Sequence, residues 1–351
     1  NRIRTRARRL EAEHRFHFAL DAERAVLLAS FVTEPDALSP EVSPLARVVG
    51  VLSERPLLFG NRVEPLYDGE EAYPAMLTAI RSAERSVYLS TYIFHPDAVG
   101  QDFVEALAKA HERGVDVRVI VDGIGELYGW WPQPGRQLAK RSVPVGRFLP
   151  PKLFPPAISL NLRTHRKSLI VDGHPGFLGG MNIAAPHLRR ARSPPSRVSD
   201  LHFNVRGPVV AQLEHIFLGD WNFCTGEAEI PILSHRHDLG SAPGDTICRV
   251  VDSGPNKRFA NIATLFTAAT SLAQRRITIV TPYFLPTRGM IEVLRIAALR
   301  GVAIDIILPA RSNLRFVDWA TRKMLDEILE FGATVWYQPP PFAHAKLFLV
   351  D

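Results

Sequence analysis

The chain has 351 residues, 46% of them hydrophobic, enough to bury a large core and more than one domain normally needs. Its two cysteines, Cys224 and Cys248, offer neither a zinc spacing nor a disulfide framework, which favours a reducing, cytoplasm-facing setting over a small secreted scaffold. A net charge of +6 and a pI near 9.5 favour anionic partners such as phospholipid headgroups, a membrane surface or nucleic acid. No apolar run reaches the roughly 18 residues of a spanning helix, and nothing resembles a signal peptide.

In chain order, residues 1–55 read as a basic N-terminal helical segment. NRIRTRARRL sets Arg2, Arg4, Arg6, Arg8 and Arg9 ahead of a helical pattern through Leu20 and Leu28. Such clusters flank membrane helices on the cytoplasmic side, so the native protein is expected to extend upstream into one or two apolar helices. An exposed basic helix with no membrane role is the alternative.

Residues 56–235 and 236–351 read as two related lobes. SVYLSTYIF (86–94) leads into a helical stretch, FVEALAKAHERG, and a strand, VDVRVIVD; ITIVTPYFL (277–285) leads into MIEVLRIAALRG and VAIDIILP. Long apolar strands separated by amphipathic helices predict parallel strands covered on both faces, an α/β sandwich in each half. Gly114 and Gly301 fall where a helix C-cap is needed. Asp122, at the end of its strand, reads as a turn cap outside the site.

Between these elements lie several loops. YGWWPQPG (with Trp130 and Trp131) and RFLPPKLFPP (with Phe148, Leu149, Leu153 and Phe154) are apolar and Pro-rich, suited to a membrane interface or to packing over the lobe boundary. HLRRARSPPSR carries Arg189, Arg190, Arg192 and Arg197, either for anionic headgroups or as a solvated loop. The polar stretch 226–245 joins the lobes near residue 235; its His235 and His237 lack the companions of a metal site.

One short pattern occurs twice, 179 positions apart. His165, Lys167 and Asp172 in THRKSLIVD match His344, Lys346 and Asp351 in AHAKLFLVD. Each copy has an apolar strand-forming tail. Residues two apart on a strand share a face, so each His and Lys point together while each Asp faces the other way and braces the backbone. Neutral imidazole beside a fixed ammonium suits attack on a phosphate ester. If the copies meet, one His attacks phosphorus while the other serves as acid and then base, with no metal and no cofactor.

This doubled H-x-K-x4-D pattern resembles the phospholipase D superfamily. The first copy continues to Gly179, Gly180 and Asn182 in GFLGGMN. NLRTHRKSLIVDG, STYIFHPD around Tyr92, RGVDVRVIVDGIG, DLHFNVRGP and TPYFLP narrow the likeness towards bacterial cardiolipin synthases, although Ser90 stands where many of these carry a Glu. The resemblance implies an α/β fold of two pseudo-symmetric sandwich lobes, the phospholipase D-like fold, with the active site between them. It implies a phosphatidyltransferase working through a phosphohistidine, with hydrolysis of phospholipid or nucleic acid as alternatives and a membrane-binding scaffold as the non-enzymatic one.

The site so implied comprises His165, Lys167, Asp172, His344, Lys346 and Asp351, supported by Gly180, Asn182 and Asp200. In the family's usual order His165 is the nucleophile and His344 the acid and base; the reverse order stays open. Asn182 and the two lysines would hold phosphate oxygens, and Asp200 would orient His344. The implied partners are a phospholipid such as phosphatidylglycerol and a membrane surface, with nucleic acid disfavoured. The implied location is the cell membrane with the catalytic part facing the cytoplasm, or else a soluble cytoplasmic protein. Acceptor alcohol and oligomeric state stay open.

Overall fold

A computed structural model describes residues 28–129, 132–151, 163–188, 197–227, 243–254 and 260–351. The Arg-rich start, Trp130, Trp131, Leu153, Phe154, Arg189, Arg190, Arg192, His235 and His237 lie outside the described residues. The elements run α1 (Ser43–Ser53), β1 (Leu58–Tyr67), α2 (Asp68–Ser82), β2 (Ser86–Thr91), α3 (Ala98–Glu112), β3 (Asp116–Asp122), α4 (Pro134–Lys140), β4 (Val145–Phe148), β5 (Ser168–Val171), β6 (Gly176–Gly179), β7 (Val198–Ser199), β8 (Leu201–Arg206), α5 (Val210–Thr225) and β9 (Thr246–Cys248). The second half continues with α6 (Asn261–Leu272), β10 (Arg276–Val280), α7 (Arg288–Leu299), β11 (Ala303–Pro309), α8 (Arg315–Leu329), β12 (Thr334–Gln338), β13 (Phe342–Ala343) and β14 (Leu347–Val350).

The first lobe is built on an eight-stranded sheet in the order β4-β3-β2-β5-β6-β8-β1-β9. Alternation along its strands feeds two cores. Val87, Leu89, Val119, Val121, Leu169 and Val171 meet α2, α3 and α4 on one face, among Ile80, Phe103, Leu107 and Leu138. Tyr88, Ile120 and Ile170 meet α5 on the other, where Tyr88 stacks on Phe217 with ring centroids 5.1 Å apart. Each such buried aliphatic or aromatic side chain contributes roughly 1.5–3 kcal/mol. Phe148 and Leu149 belong to this second core, with Phe148 buried, so that part of the Pro-rich stretch packs inward, which does not fit the membrane-interface alternative.

The second lobe has a four-stranded sheet, β12-β11-β10-β14. Ile277, Ile279, Ile304, Ile306 and Leu308 pack on Ile291 and Leu294 of α7 and Leu325 and Ile328 of α8. Phe348 stacks on Phe266 of α6 at 4.7 Å. On the opposite face, Trp336 and Leu349 stay exposed, at 56% and 53%. Cover on both faces, expected for both halves, is thus found in the first lobe and not among the described residues of the second.

The repeat shows in matching detail. β2 runs parallel to β3 as β10 does to β11, as expected of strands separated by helices, whereas the motif strands β5 and β14 run antiparallel to β2 and β10. Gly114 and Gly301 both have φ +88, the left-handed cap geometry that lacks a Cβ penalty. The arginine before each glycine reaches the end of the preceding helix, Arg113 donating to Ala83 O at 3.0 Å and Arg300 to Ala273 O at 2.9 Å.

Two boundaries shift. β9 pairs antiparallel with β1, so residues 246–248 complete the first sheet although the division at 235 put them in the second lobe. The segment to residue 55 does not stand apart either: Asn261 at the start of α6 donates to Leu52 O at 2.8 Å, and Arg249 donates to Ala46 O at 2.6 Å.

Candidate active site

In both motif copies the His and Lys lie just ahead of the strand and the Asp just after it, since β5 starts at Ser168 and β14 at Leu347. The two ends of each strand do different work. Asp172 accepts hydrogen bonds from the backbone N–H groups of Glu84, Arg85 and Ser86 at 3.0, 2.7 and 2.8 Å. Asp351 does the same for Gln274, Arg275 and Arg276 at 2.8, 2.7 and 2.9 Å. Both have φ in the left-handed region, +52 and +56, where Asp is one of the better-tolerated residues. These carboxylates brace the turn entering β2 or β10, at the strand end away from the His and Lys. Backbone bonding outweighs desolvation and holds the Asp351 carboxyl below its ordinary range.

At the other end the copies share one feature: each lysine ammonium donates to the carbonyl of its own histidine, Lys167 to His165 O at 2.9 Å and Lys346 to His344 O. Beyond that their surroundings differ. The His165 ring stacks on Tyr92 with centroids 4.1 Å apart and planes 22° apart, and Lys167 Nζ lies 5.4 Å from the same ring's centre. Desolvation, then the Lys167 charge, pushes His165 down to about 4, so the imidazole is neutral at physiological pH. Desolvation, then the Lys346 charge, pushes Lys167 down to about 7.

His344 instead donates from Nδ1 to Asp200 Oδ2 at 2.8 Å. That bond fixes the tautomer and leaves Nε2 for chemistry. Asp200 is only 4% exposed, and although burial raises its carboxyl, the hydrogen bond from His344 and the charges of His344 and Lys346 bring it below the usual carboxylate range. Lys346 Nζ stands 3.0 Å from each ring nitrogen of His344, and desolvation pushes it down to about 8. The charges of Lys346 and His344 act on His165, and that of Lys346 on Lys167, so both motif copies share one electrostatic site.

A short ladder brings His344 to Asp200. β13 pairs in parallel with β7, Phe342 opposite Val198 and Ala343 opposite Ser199, and His344 N donates to Ser199 O at 2.7 Å. One residue later the chain enters β8 of the first sheet. Asp200 occupies the switch between the two ladders. Gly180 makes room for it: a Cβ there would lie 2.2 Å from Asp200 Oδ1. Asn182 Oδ1 accepts from Ile93 N at 3.1 Å, tying the loop after the motif to the residue beside Tyr92 and leaving its NH₂ as the remaining donor.

Several contributors carry no sequence signal of their own. Asp122 does cap its turn, accepting from Ile124 N and Gly125 N, but it also pairs with the buried Arg163 guanidinium (2.6 Å) and accepts from Thr164 N (3.1 Å), which fixes the two residues before His165. Arg166, between His165 and Lys167, pairs with Asp220 and lies 3.6 Å from Asp252. His187 and His202 are buried near Asp200; burial pushes both down to about 4 against the pull of its charge. Tyr92 lay inside a segment singled out in the sequence, but its stacking on His165 did not. Among the described residues no group of three or more His, Cys, Asp or Glu is arranged to hold a metal ion.

The family described as "Cardiolipin synthase, PLD-like domain" matches residues 76–221 and 267–351. The chain is similar to the cardiolipin synthase of Alkalihalophilus pseudofirmus, 33% identical over 88% of this chain and 61% of that protein. It is likewise similar to the major cardiolipin synthase of Bacillus subtilis, 32% identical over 83% of this chain and 60% of that protein. The chain therefore spans about three fifths of the length of these relatives. In fold it is similar to the phosphatidylserine synthase of Haemophilus influenzae, with a TM-score of 0.56 at 13% identity, covering 88% of this chain and 80% of that one.

Proposed function

The chain belongs to the PLD-like family of cardiolipin synthases, and from that membership we propose that it is the catalytic region of a phosphatidyltransferase that joins two phosphatidylglycerol molecules through a phosphohistidine. The observation that carries this reading is the asymmetry of the two imidazoles: one neutral and stacked on an aromatic ring, the other bonded through Nδ1 to a buried carboxylate. A neutral imidazole is a competent nucleophile, and an Asp-supported one can carry a proton in either direction.

In this scheme a His165 ring nitrogen attacks phosphorus and the bond from phosphorus to the headgroup glycerol oxygen breaks. That oxygen takes the proton from His344 Nε2, and Asp200 keeps the ring oriented. The hydroxyl of a second phosphatidylglycerol then gives its proton to His344; its oxygen attacks phosphorus and the N–P bond breaks. Lys167, Lys346 and the Asn182 NH₂ hold the phosphoryl oxygens, whose growing charge the ammonium groups offset. No step calls for a metal or cofactor.

The substrate lies in a bilayer, so the reading includes a membrane location with this region facing the cytoplasm. No helix of the described residues is long and apolar enough to cross a membrane. The test incubates full-length protein with phosphatidylglycerol vesicles and a single-stranded oligonucleotide, with and without EDTA, and follows products by mass spectrometry. Cardiolipin and glycerol, formed equally in EDTA, are expected. Phosphatidic acid alone would make it a hydrolase, a cut oligonucleotide beside untouched lipid a nuclease, and loss of activity in EDTA restored by a divalent ion would end the metal-free scheme.

A further inference from the structure

The geometry points to Asp68 as a positioning residue for the second histidine, acting through Asp200. This rests on the reading of His344 as the acid and base. Asp200 has no regular strand to hold it: β7 ends at Ser199, β8 begins at Leu201, and the ladders on either side lie in different sheets. A carboxylate at such a junction needs other restraints if its hydrogen bond to His344 is to keep one direction.

Asp68 supplies them. Its Oδ1 accepts from Asp200 N at 2.9 Å and from Ser199 Oγ at 3.0 Å. Its own N–H donates to Asp200 O at 3.1 Å. The peptide groups on both sides of the Asp200 Cα are therefore tied to one residue. The link extends the β1–β8 ladder, in which Tyr67 lies opposite Leu201, one position past its last regular pair.

The backbone at Asp68 adds an independent sign. It has φ +55 at the first residue of α2, where a non-glycine residue is uncommon. Such conformations persist only when neighbouring bonds over-determine them, and they gather at functional sites. A helix start needs no left-handed residue, and the preceding Tyr67 is extended (φ −89, ψ 123). The left-handed turn accompanies the double grip on Asp200. Asp68 is also 5% exposed, unusual for a carboxylate that merely begins a helix. Gly69 completes the fit, since a Cβ there would lie 2.6 Å from the Tyr73 ring and 3.0 Å from His187 O.

The chain of contacts then reads Asp68, Asp200, His344. Asp68 touches no substrate; its effect reaches the chemistry by holding the orienting carboxylate. The experiment compares Asp68→Gly, which keeps the left-handed backbone and loses the acceptor, with Asp68→Asn, which keeps both the conformational tolerance and an Oδ1 acceptor. Full-length protein is assayed with phosphatidylglycerol, and the Nδ1–H proton resonance of His344, assigned by its absence in His344→Ala, is followed by NMR without substrate.

For Asp68→Gly we expect kcat to fall about 10- to 100-fold with KM within about twofold, and the Nδ1–H resonance to broaden or vanish. Asp68→Asn should recover most of both. A folded Asp68→Gly variant with wild-type kcat and an unchanged resonance overturns the proposal, as does an Asn variant no better than the Gly one. If the wild-type protein makes no cardiolipin while the resonance still depends on Asp68, the positioning role stands and the phosphatidyltransferase reading falls.

Discussion

The two copies of the repeated motif are alike at one end and unlike at the other. At the Asp end they match to within a few tenths of an ångström: three backbone N–H groups on each carboxylate, the same left-handed φ, the same turn into a parallel strand. At the His end one ring lies on Tyr92 beside a buried lysine, and the other meets Asp200 beside a lysine that keeps more of its surface in solvent. The motif itself encodes the scaffold. The difference between the two rings comes from residues outside it, and one shared H-x-K-x4-D pattern acquires two different surroundings.

The largest expected effect separates the two histidines. His165→Ala and His344→Ala should each lower phosphatidyl transfer by about 10³-fold or more, but they should differ in trapping. Quenched in denaturant at mildly alkaline pH, where the acid-labile N–P bond survives, His344→Ala given a substrate with a good leaving group should retain a phosphoryl adduct on the protein, while His165→Ala should show none by intact mass. An adduct that survives His165→Ala and disappears with His344→Ala would exchange the roles.

Next in size is the alkaline decline. The charged form of a lysine with a lowered pKa is lost as pH rises through that value, so kcat/KM of the free enzyme should decline below about 4, where His165 is protonated, and should fall from about 7 as Lys167 and then, near 8, Lys346 lose their protons. The rate should drop about tenfold per pH unit past the first value and about a hundredfold per unit past the second. Lys167→Arg, which stays charged, should leave only the later decline if the variant keeps measurable activity. A profile flat to pH 10 would mean that neither ammonium is needed.

The smallest effect probes the matched ends. Asp172→Ala should destabilise the protein by about 1–3 kcal/mol, the cost of leaving enclosed N–H groups unpaired. Asp351→Ala should cost a similar amount, because its carboxylate accepts from the same three backbone positions. Urea titrations of the two variants decide; clearly unequal losses would mean that the matched bonds are not what stabilises the two turns.

Much of this was legible before any coordinates. The doubled motif, the strand, helix, strand repeat and the two Arg-Gly helix ends follow from periodicities that short sequence windows contain. The lobe-to-lobe ladder is only two residues long, and two residues show no alternation to read. Asp122 looks like a turn cap and is one; its grip on Arg163 spans 41 positions and leaves no local trace. β9 is three residues just after a polar linker, so its place beside β1 was hidden for the same reason. The antiparallel direction of β5 and β14 was not legible, because apolar runs reveal burial without strand direction.

The shortness of the β7–β13 ladder also makes it a register device. Side chains alternate across a strand, so a slip of one residue would turn His344 away and bring Ala343 or Ala345 to Asp200 instead. Two paired residues cannot forbid such a slip by backbone bonding alone. Among Phe342, Ala343, His344 and Ala345 the only side chain able to complete the hydrogen bond to Asp200 is the histidine itself, so this contact doubles as the mark that aligns one lobe with the other.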